Sequence, residues 1–435
     1  MQPDIDPAPR WSLGKRIAFR FVFAYFLTFF LTGEIASFIP FYGVLIRPYV
    51  AFWHAVVVWA GRHVLHTRYE LDIADGGVNN TAHGTILFLC YLVAAALATV
   101  LWSVLDRKRP SYVALQQGFR LLLRLTLALA LIRYGTFKVI PTQMISPNPP
   151  FALLQRFGEL RPMELLWTFV GSSPAYESFT GGAELLAGLL LLLPRTTLLG
   201  ALVAIGDMTM VVVLNFCFDV HVKLYAMHLL AMAVLLVLPD LCRLSDLFLF
   251  NRAVEPAPAR PLFGRRRVDL ILQGVVLLVG LALVGMDFHE SYVRYQGFHP
   301  PRPPLYGAWS VDELALDGKK VPLNTDPQSW RYVIFQSPGR VTVEQMIGSR
   351  PSYRLGLDLK NRTMTLERAR RDLHGNPLPT LPAYERARFS FDAAQPDALV
   401  LDGTLDGHPT HARLSRMALS AAKLRWIIVI AKEDR

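Results

Sequence analysis

The sequence predicts a polytopic α-helical membrane protein of about seven spans, followed by a C-terminal antiparallel β-barrel-like domain. Of its 435 residues, 52% are hydrophobic and only 18% are charged, and the mean hydropathy is +0.32. The apolar residues lie in runs of about 20, the length that crosses the hydrocarbon of a bilayer. The last third instead alternates apolar and polar residues between frequent turn signals, which is typical of strands. We therefore expect two structural regimes in one chain.

The apolar runs predict the positions of the spans. The first run continues well beyond the length of a signal-peptide core, so we expect it to remain as a membrane helix. The predicted spans are residues 17–39, 84–105, 121–140, 179–193, 197–218, 224–238 and 268–286.

The formal net charge of +11 does not indicate a nucleic-acid partner, because the basic residues flank apolar runs instead of forming a patch interleaved with aromatic residues. The N-terminus, the loop 107–109, Arg195 and the loop 243–267 fall on one side of the predicted membrane. The positive-inside rule makes that side the cytoplasm. We therefore expect a multi-pass inner (plasma) membrane protein in contact with lipid, with its C-terminal domain periplasmic or extracellular.

Residues 41–61 are apolar enough to be an eighth span. If they crossed, the basic loop 107–109 would lie outside, against the positive-inside rule. Arg47 and Pro48 also interrupt the run. We interpret residues 48–66 as an interfacial or re-entrant helix, with Trp53 and Trp59 suited to the headgroup layer.

These patterns predict six regions. Two N-terminal spans with the interfacial helix precede a four-helix module, and a basic, Pro-rich cytoplasmic loop leads to the last span. A Pro-rich linker then precedes the external β-rich domain. The predicted regions are 1–115, 116–242, 243–267, 268–287, 288–306 and 307–435.

Residues 118–240 contain a series of different short motifs. They are Ile132-Arg133-Tyr134-Gly135 with Lys138, Gly182-Ala183-Glu184 with Gly188, Pro194-Arg195-Thr196 with Leu199-Gly200-Ala201, and Leu214-Asn215 with Asp219, Val222-Lys223, His228 and Leu238-Pro239-Asp240. In this order and spacing the stretch resembles the DoxX family, a four-helix membrane module. Some relatives look like membrane subunits of sulfur-oxidising enzymes that pass electrons to quinone, and others accompany redox-protection proteins. The resemblance implies a redox-associated subunit with a periplasmic or membrane redox partner.

Ionisable groups within the predicted spans cost about 2.5–3.5 kcal/mol each on insertion scales, so each needs a partner or a function. One hypothesis is that they pair only to fasten the helices, Glu34 or Glu184 with Arg133 or Lys138 and Asp219 with Lys223. The other is a polar pocket in the outer half of the membrane that binds the head of an amphiphile such as a quinone, and transport is a third. The candidate pocket residues are Glu34, Arg133, Lys138, Glu184, Asp207, Asn215, Asp219, Lys223 and His228.

Neither a metal site nor haem is indicated. Cys90, Cys217 and Cys242 form no CxxC pair. A bis-histidine haem needs ligands at similar depth on facing helices. His228 is the only histidine within a predicted span, whereas His63 and His66 lie on the interfacial helix. Quinone is therefore the one cofactor that we carry forward as a hypothesis.

The last region predicts eight or nine short strands in a barrel or sandwich. Its turn signals are Asp317-Gly318, Ser337-Pro338-Gly339, Asp402-Gly403 and Asp406-Gly407. Gly307-Ala308-Trp309, expected before the first strand, resembles the opening of a lipocalin-type barrel. His408 and His411 are expected to be solvated. The alternative to a carrier-binding subunit is a non-enzymatic membrane scaffold whose barrel recruits a lipid or a periplasmic partner.

Overall fold

The computed structural model describes residues 10–31, 42–68, 71, 81–144, 149–256, 266–298, 301–322, 326–368, 384–393 and 395–419. The chain forms two compact units. The helical unit comprises residues 1–144, 161–167 and 175–293, and the barrel unit comprises residues 145–160, 168–174 and 294–435. Glu34 lies outside the described residues.

The helices begin and end at local signals. Ser12 caps the first helix by accepting the Lys15 N–H, and Thr81 caps the third by accepting the Gly84 N–H. In the described part of the chain the helices are α1 (Leu13–Phe30), α2 (Tyr42–His63), α3 (Ala82–Leu105), α4 (Val113–Val139), α5 (Pro150–Leu153), α6 (Pro162–Gly171), α7 (Pro174–Leu192), α8 (Thr197–Cys217), α9 (Lys223–Val237), α10 (Leu241–Phe248) and α11 (Arg266–Phe298).

Five helical stretches among the described residues are long and apolar enough to cross a membrane, judged by length and composition. This confirms the coarse prediction of a multi-helix membrane protein. The predicted spans 17–39 and 179–193 correspond to α1 and α7, which are not among the five. The five stretches are Ala82–Leu105, Val113–Val139, Thr197–Cys217, Lys223–Phe248 and Arg267–Phe298.

Two predicted boundaries differ from the structure. α2 is one continuous helix that includes Pro48, so the proline does not start a new helix. α11 continues to Phe298, past the predicted end of the last span at residue 286. The apolar stretch ends near residue 286, but the sequence contains no proline between that point and Pro300. A helix can therefore continue through polar residues beyond the apolar stretch. The predicted linker 288–306 is therefore largely helical.

Glycines bring α4 and α7 into backbone contact. A Cβ on Gly135 would lie 2.8 Å from the Gly181 carbonyl oxygen, and one on Gly181 would lie 2.5 Å from the Lys138 Cβ. Two helical turns further along α7, a Cβ on Gly188 would lie 2.9 Å from the Ala128 oxygen. Small residues at such positions are how membrane helices approach closely. The sequence allowed Glu184 to pair with Arg133 or Lys138, and the structure selects Lys138.

A buried arginine joins the start of the bundle. Arg20 of α1 is 2% exposed and donates to the Tyr112 hydroxyl at 2.6 Å, the Ser103 hydroxyl at 2.8 Å and the Asp106 carbonyl at 2.9 Å. The Tyr112 hydroxyl in turn donates to the Asp106 carboxylate at 2.9 Å. This guanidinium therefore fastens α1 to the connection between α3 and α4.

The described residues of the barrel unit form nine antiparallel strands, eight of which close into a barrel. The strands follow one another around the barrel in chain order, apart from the two-residue β2, and β1 pairs with β9 to close it. They are β1 (Gly307–Leu316), β2 (Lys319–Lys320), β3 (Trp330–Ser337), β4 (Arg340–Gln345), β5 (Ser352–Asp358), β6 (Thr363–Arg368), β7 (Tyr384–Asp392), β8 (Ala398–Leu405) and β9 (His408–Arg416).

Most predicted turns are confirmed and one is wrong. Asp317-Gly318 and Asp406-Gly407 both have two positive φ angles, which type I′ hairpins require. Asp402-Gly403 instead lies within β8. There a Cβ on Gly403 would sit 2.0 Å from the Arg388 carbonyl oxygen, so the glycine permits a close approach of β7. Gly307-Ala308-Trp309 begins β1 and does not precede it.

The barrel interior is filled by its own apolar side chains. Trp309, Trp330 and Phe389 are among the buried residues of this core. The Trp309 indole N–H donates to the Leu305 carbonyl at 3.0 Å, and the Arg416 guanidinium lies over the Trp309 ring at 5.8 Å. The alternation of buried and exposed residues along the strands therefore produces the predicted β-barrel.

A segment from the connection between α4 and α7 belongs to the barrel unit. The Phe151 N–H donates to the Gln336 side chain at 3.2 Å, and Arg350 donates to the Leu154 carbonyl at 2.8 Å. The Arg350 guanidinium also lies over the Phe151 ring and bonds the buried Glu344 carboxylate at 2.8 Å. Residues 149–160 are thus docked on strands that follow them by almost 200 positions.

Candidate functional site

Lys138 of α4 and Glu184 of α7 form a buried ion pair. Their side chains are 9% and 3% exposed. The contact between Gly135 and Gly181 brings the two helix axes close enough for this pairing. The Glu184 Oε2 atom has no hydrogen-bond partner among the residues that the structure describes. An acceptor left bare in a low-dielectric interior is costly, because its lost hydration is not replaced.

Asp207 of α8 lies beside this pair. Its carboxylate interacts electrostatically with Glu184 and with Lys138. Within the described part of the chain, the Asp207 Oδ2 atom is buried without a hydrogen-bond partner. Asp207 is the eleventh of the 21 residues of α8, which places it at the middle of a helix long enough to span a membrane. We call Lys138, Glu184 and Asp207 the Lys138 cluster.

Glu177 is an acidic residue at this site that the sequence analysis missed. It is 1% exposed in the first turn of α7, and its Oε1 accepts the Met144 N–H at 3.0 Å. Its carboxylate also accepts the Gln143 N–H and interacts electrostatically with Lys138. Glu177 and Glu184 are seven residues apart, which is two helical turns and therefore one face. This spacing, with Gly181 between the two residues, is the sequence signal that could have predicted that Glu177 lies at the site.

His228 of α9 is placed away from solvent in an aromatic cage. Its Nδ1 donates to the Leu224 carbonyl at 2.5 Å, so its Nε2 accepts the Tyr25 hydroxyl at 2.5 Å. The ring stacks on Phe29 with centroids 4.3 Å apart. Both ring nitrogens therefore have protein partners, and the structure uses His228 to join α9 to α1.

The other candidate residues lie in separate places. Lys223 pairs with Asp219, whose side chain is 77% exposed in the turn between α8 and α9. The hydrogen bond from Lys223 lowers the pKa of Asp219 below its usual range. Arg133 lies over the Phe137 ring at 5.7 Å. The Asn215 side-chain nitrogen is buried with no hydrogen-bond partner among the described residues.

Histidines elsewhere form pairs. The His54 and His83 rings of α2 and α3 stack, with His54 Nδ1 3.3 Å from His83 Nε2. In the barrel, His408 bonds Asp317 at 3.0 Å and His411 bonds Asp402 at 2.6 Å, all four side chains being exposed. Among the described residues, no group of three or more His, Cys, Asp or Glu side chains is placed to hold a metal ion.

The Lys138 cluster has a defined chemistry. The Lys138 ammonium is a hydrogen-bond donor without acceptor capacity, and ionised carboxylates are acceptors. Two carboxyl groups share one ammonium, and two carboxylate oxygens lack partners within the described chain. Such a site can donate to a carbonyl oxygen, accept from a hydroxyl group and hold a proton on a carboxyl group.

Comparison with known proteins finds one informative similarity. The chain is 33% identical over 142 residues to the "Uncharacterized protein YwoB" of Bacillus subtilis (strain 168), an alignment that covers 33% of this chain and 87% of that relative. Residues 307–435 are too few to contain a match of that length, so the similarity includes residues that precede β1. No protein-family model and no solved structure matches the chain.

Proposed function

We propose, for a chain that belongs to the family of the uncharacterized Bacillus subtilis protein YwoB, that the helical unit is a DoxX-type module that binds the polar head of a quinone or similar lipophilic carrier. The carrier's head sits at the Lys138 cluster, and the protein acts as a membrane subunit for a redox partner. Asp207 is the observation that supports this most directly. A fastening ion pair needs one ammonium and one carboxylate, and Asp207 is a second carboxylate beside them.

The chemistry of the cluster fits both forms of such a carrier. The Lys138 ammonium donates to a quinone carbonyl oxygen. The bare Glu184 Oε2 and Asp207 Oδ2 atoms accept from the hydroxyl groups of the reduced form. Ionisable residues inside a membrane commonly mark ion or proton pathways, because their insertion is costly. Transfer of electrons belongs to the partner in this proposal.

The proposal includes seven spans in an inner membrane, with a cytoplasmic N-terminus and a periplasmic or extracellular barrel. The docking of residues 149–160 on the barrel supports this count. A segment and the strands it packs on lie on the same side of a membrane, so an even number of crossings must separate them. The helices α8, α9 and α11 supply three crossings, and α7 supplies the fourth.

The alternative is a non-enzymatic scaffold that presents the barrel to a lipid or a periplasmic partner. The close α4–α7 contact favours it, because a Lys138–Glu184 pair would also stabilise that contact. In this case replacing both partners by apolar residues should restore stability, since buried ion pairs are often replaceable.

The test measures quinone content and thermal stability together. The full chain is purified in mild detergent, its isoprenoid quinone is extracted and quantified, and binding of decylubiquinone is titrated. Glu184→Gln and Lys138→Met should abolish binding while the melting temperature stays close to the parental value. Lys223→Met is the matched control, because its partner Asp219 is exposed in a turn apart from the cluster.

The two functions predict different outcomes. A parent protein that contains no quinone and does not bind decylubiquinone excludes the carrier proposal. A loss of stability with unchanged quinone content, reversed in the double variant Lys138→Met/Glu184→Leu, establishes the scaffold instead. Loss of binding in Lys223→Met to the same degree would mean that the cluster has no special role.

A further inference from the structure

We infer that Glu177 extends the Lys138 cluster into a proton path, which runs from the first turn of α7 through Lys138 and Glu184 to Asp207 in the middle of α8. This inference rests on the proposed function in one respect, namely that the path supplies or removes the protons that a bound carrier exchanges. A proton taken up by the Glu177 carboxyl group passes to Lys138 as that ammonium releases one to Glu184. Glu184 then protonates Asp207, which holds the proton for the carrier, while Glu177, Lys138 and Glu184 return to their starting states.

The positions of the four groups form a continuous series. Lys138 is ion-paired with Glu184, and its charge also reaches Glu177. Asp207 interacts with both Glu184 and Lys138. Glu177 and Glu184 are separated by seven residues of α7, which is about 10 Å along the helix axis. Lys138 therefore contacts Glu184 at one end of this interval and interacts electrostatically with Glu177 at the other.

The depth of the series suits entry from one side of the membrane. Glu177 lies in the first turn of α7, next to the end of α4, where its carboxylate accepts the Met144 N–H. Asp207 lies halfway along α8. A series with these ends connects one membrane boundary to the bilayer centre and stops there, as a path that serves a site inside the membrane should.

The bare carboxylate oxygens indicate where protons reside. Glu184 is 3% exposed, yet its Oε2 has no donor among the described residues, and the same holds for Asp207 Oδ2. A proton shared between these carboxyl groups supplies the missing donor. It also reduces the net negative charge of the Glu177, Glu184 and Asp207 carboxyl groups, which are near one ammonium group, that of Lys138. Structural fastening explains the Lys138–Glu184 pair but not these two atoms.

The experiment follows exchange of the carboxyl proton for deuterium and needs no carrier. The full chain in lipid nanodiscs is transferred to D2O, and the infrared C=O band of protonated carboxyl groups is recorded with time. Glu184→Gln and Asp207→Asn assign the band. Glu177→Gln, which keeps the acceptor for the Met144 N–H, should slow the exchange roughly 100-fold, the lower end of what a positioned acid–base group contributes.

Two further variants separate the path from packing. Glu177→Asp shortens the side chain but keeps a titratable group, so it should restore exchange close to the parental rate, whereas a packing defect would persist. Glu164→Gln is the control, because this partly exposed carboxylate pairs with Arg161 and not with Lys138, and it should leave exchange unchanged.

The inference is overturned if Glu177→Gln exchanges at the parental rate, if Glu177→Asp exchanges as slowly as Glu177→Gln, or if the parent has no protonated carboxyl band that Glu184→Gln or Asp207→Asn removes. Because no carrier is present, a parent that binds no quinone refutes the proposed function without affecting this result. Conversely, quinone binding with unaltered exchange in Glu177→Gln refutes the path alone.

Discussion

Gly135 and Gly181 face each other so closely that a Cβ on Gly181 would lie 2.7 Å from the Gly135 carbonyl oxygen. The three atoms nearest to such a Cβ are the Gly135 carbonyl oxygen, the Val139 backbone nitrogen and the Lys138 Cβ, and none of them can move aside without separating the helices. The ion pair between Lys138 and Glu184 lies next to this contact. The formation of the Lys138 cluster therefore depends on the close packing of α4 against α7.

The first prediction concerns this contact. Gly181→Ala should separate α4 from α7 and lower the free energy of unfolding by about 1–3 kcal/mol, the usual cost of overpacking. It should also weaken decylubiquinone binding, because the Lys138–Glu184 geometry changes with the helix spacing. Thermal melting and quinone titration in detergent check both effects.

The neighbouring glycine provides the control. A Cβ on Gly182 would have no atom within 4 Å, and alanine is the better helix former. Gly182→Ala should therefore leave melting and binding at or slightly above the parental level. If Gly182→Ala and Gly181→Ala behave alike, the close contact does not control the site.

The second prediction concerns the bond between Tyr25 and His228. Tyr25→Phe removes the hydroxyl that donates to Nε2 and leaves a buried acceptor unpaired. We expect a loss of about 1–3 kcal/mol in the free energy of unfolding, the cost of such an unsatisfied group. Tyr292→Phe, at an exposed tyrosine of α11, should change stability little. Quinone content should be unchanged in both variants, and its loss in Tyr25→Phe alone would show that His228 belongs to the site.

The third prediction tests whether α7 crosses the membrane. A reporter that is active only outside the cytoplasm should be active when fused after residue 172 and after residue 302, and inactive after residue 195. The fusion after residue 302 follows the end of α11 at Phe298. Equal reporter activity after residues 172 and 195 would mean that α7 does not cross the membrane. The number of crossings between residues 149–160 and the barrel would then be odd, which contradicts the seven-span proposal.

The fourth prediction concerns the docking of residues 149–160 on the barrel. Arg350→Met removes the donor to the Leu154 carbonyl and leaves the 3%-exposed Glu344 without its cation. Breaking a buried pair in this way typically costs about 3–5 kcal/mol. Limited proteolysis should then cut within 149–160 while the parental segment is protected.

Arg354→Met is the matched control for this measurement. Arg354 is 75% exposed and its oxygen partner on Glu367 is 3.9 Å away, so an exposed pair of this kind contributes little. Protection of residues 149–160 should persist in this variant. Cleavage of the segment in the parental protein would show that it is not docked in solution.

Local pattern was sufficient for the two regimes of the chain. A run of apolar residues has to form a helix in a membrane, because the helix is the form that pairs every backbone polar group within one segment. Period-two alternation specifies the strands of the barrel, and Asp-Gly at Asp317 and Asp406 specifies hairpin turns because both residues adopt positive φ. The same dipeptide at Asp402 was misleading, since the glycine there relieves a cross-strand approach.

The sequence by itself determined which segments are apolar helices, which are strands, and which ionisable residues lie within the helices. The pairing of Asp219 with Lys223 was one of the hypotheses from the sequence, and the structure contains it. Only the tertiary structure decided that Lys138 pairs with Glu184, that Asp207 and Glu177 lie beside this pair, and that the Tyr25 hydroxyl donates to His228. A membrane helix is apolar around most of its surface, so periodicity does not reveal which face meets which neighbour. Which faces of two helices meet depends on where glycines such as Gly135 and Gly181 allow the two backbones to touch. Such a contact is a property of the pair of helices, so the sequence of one helix does not reveal it.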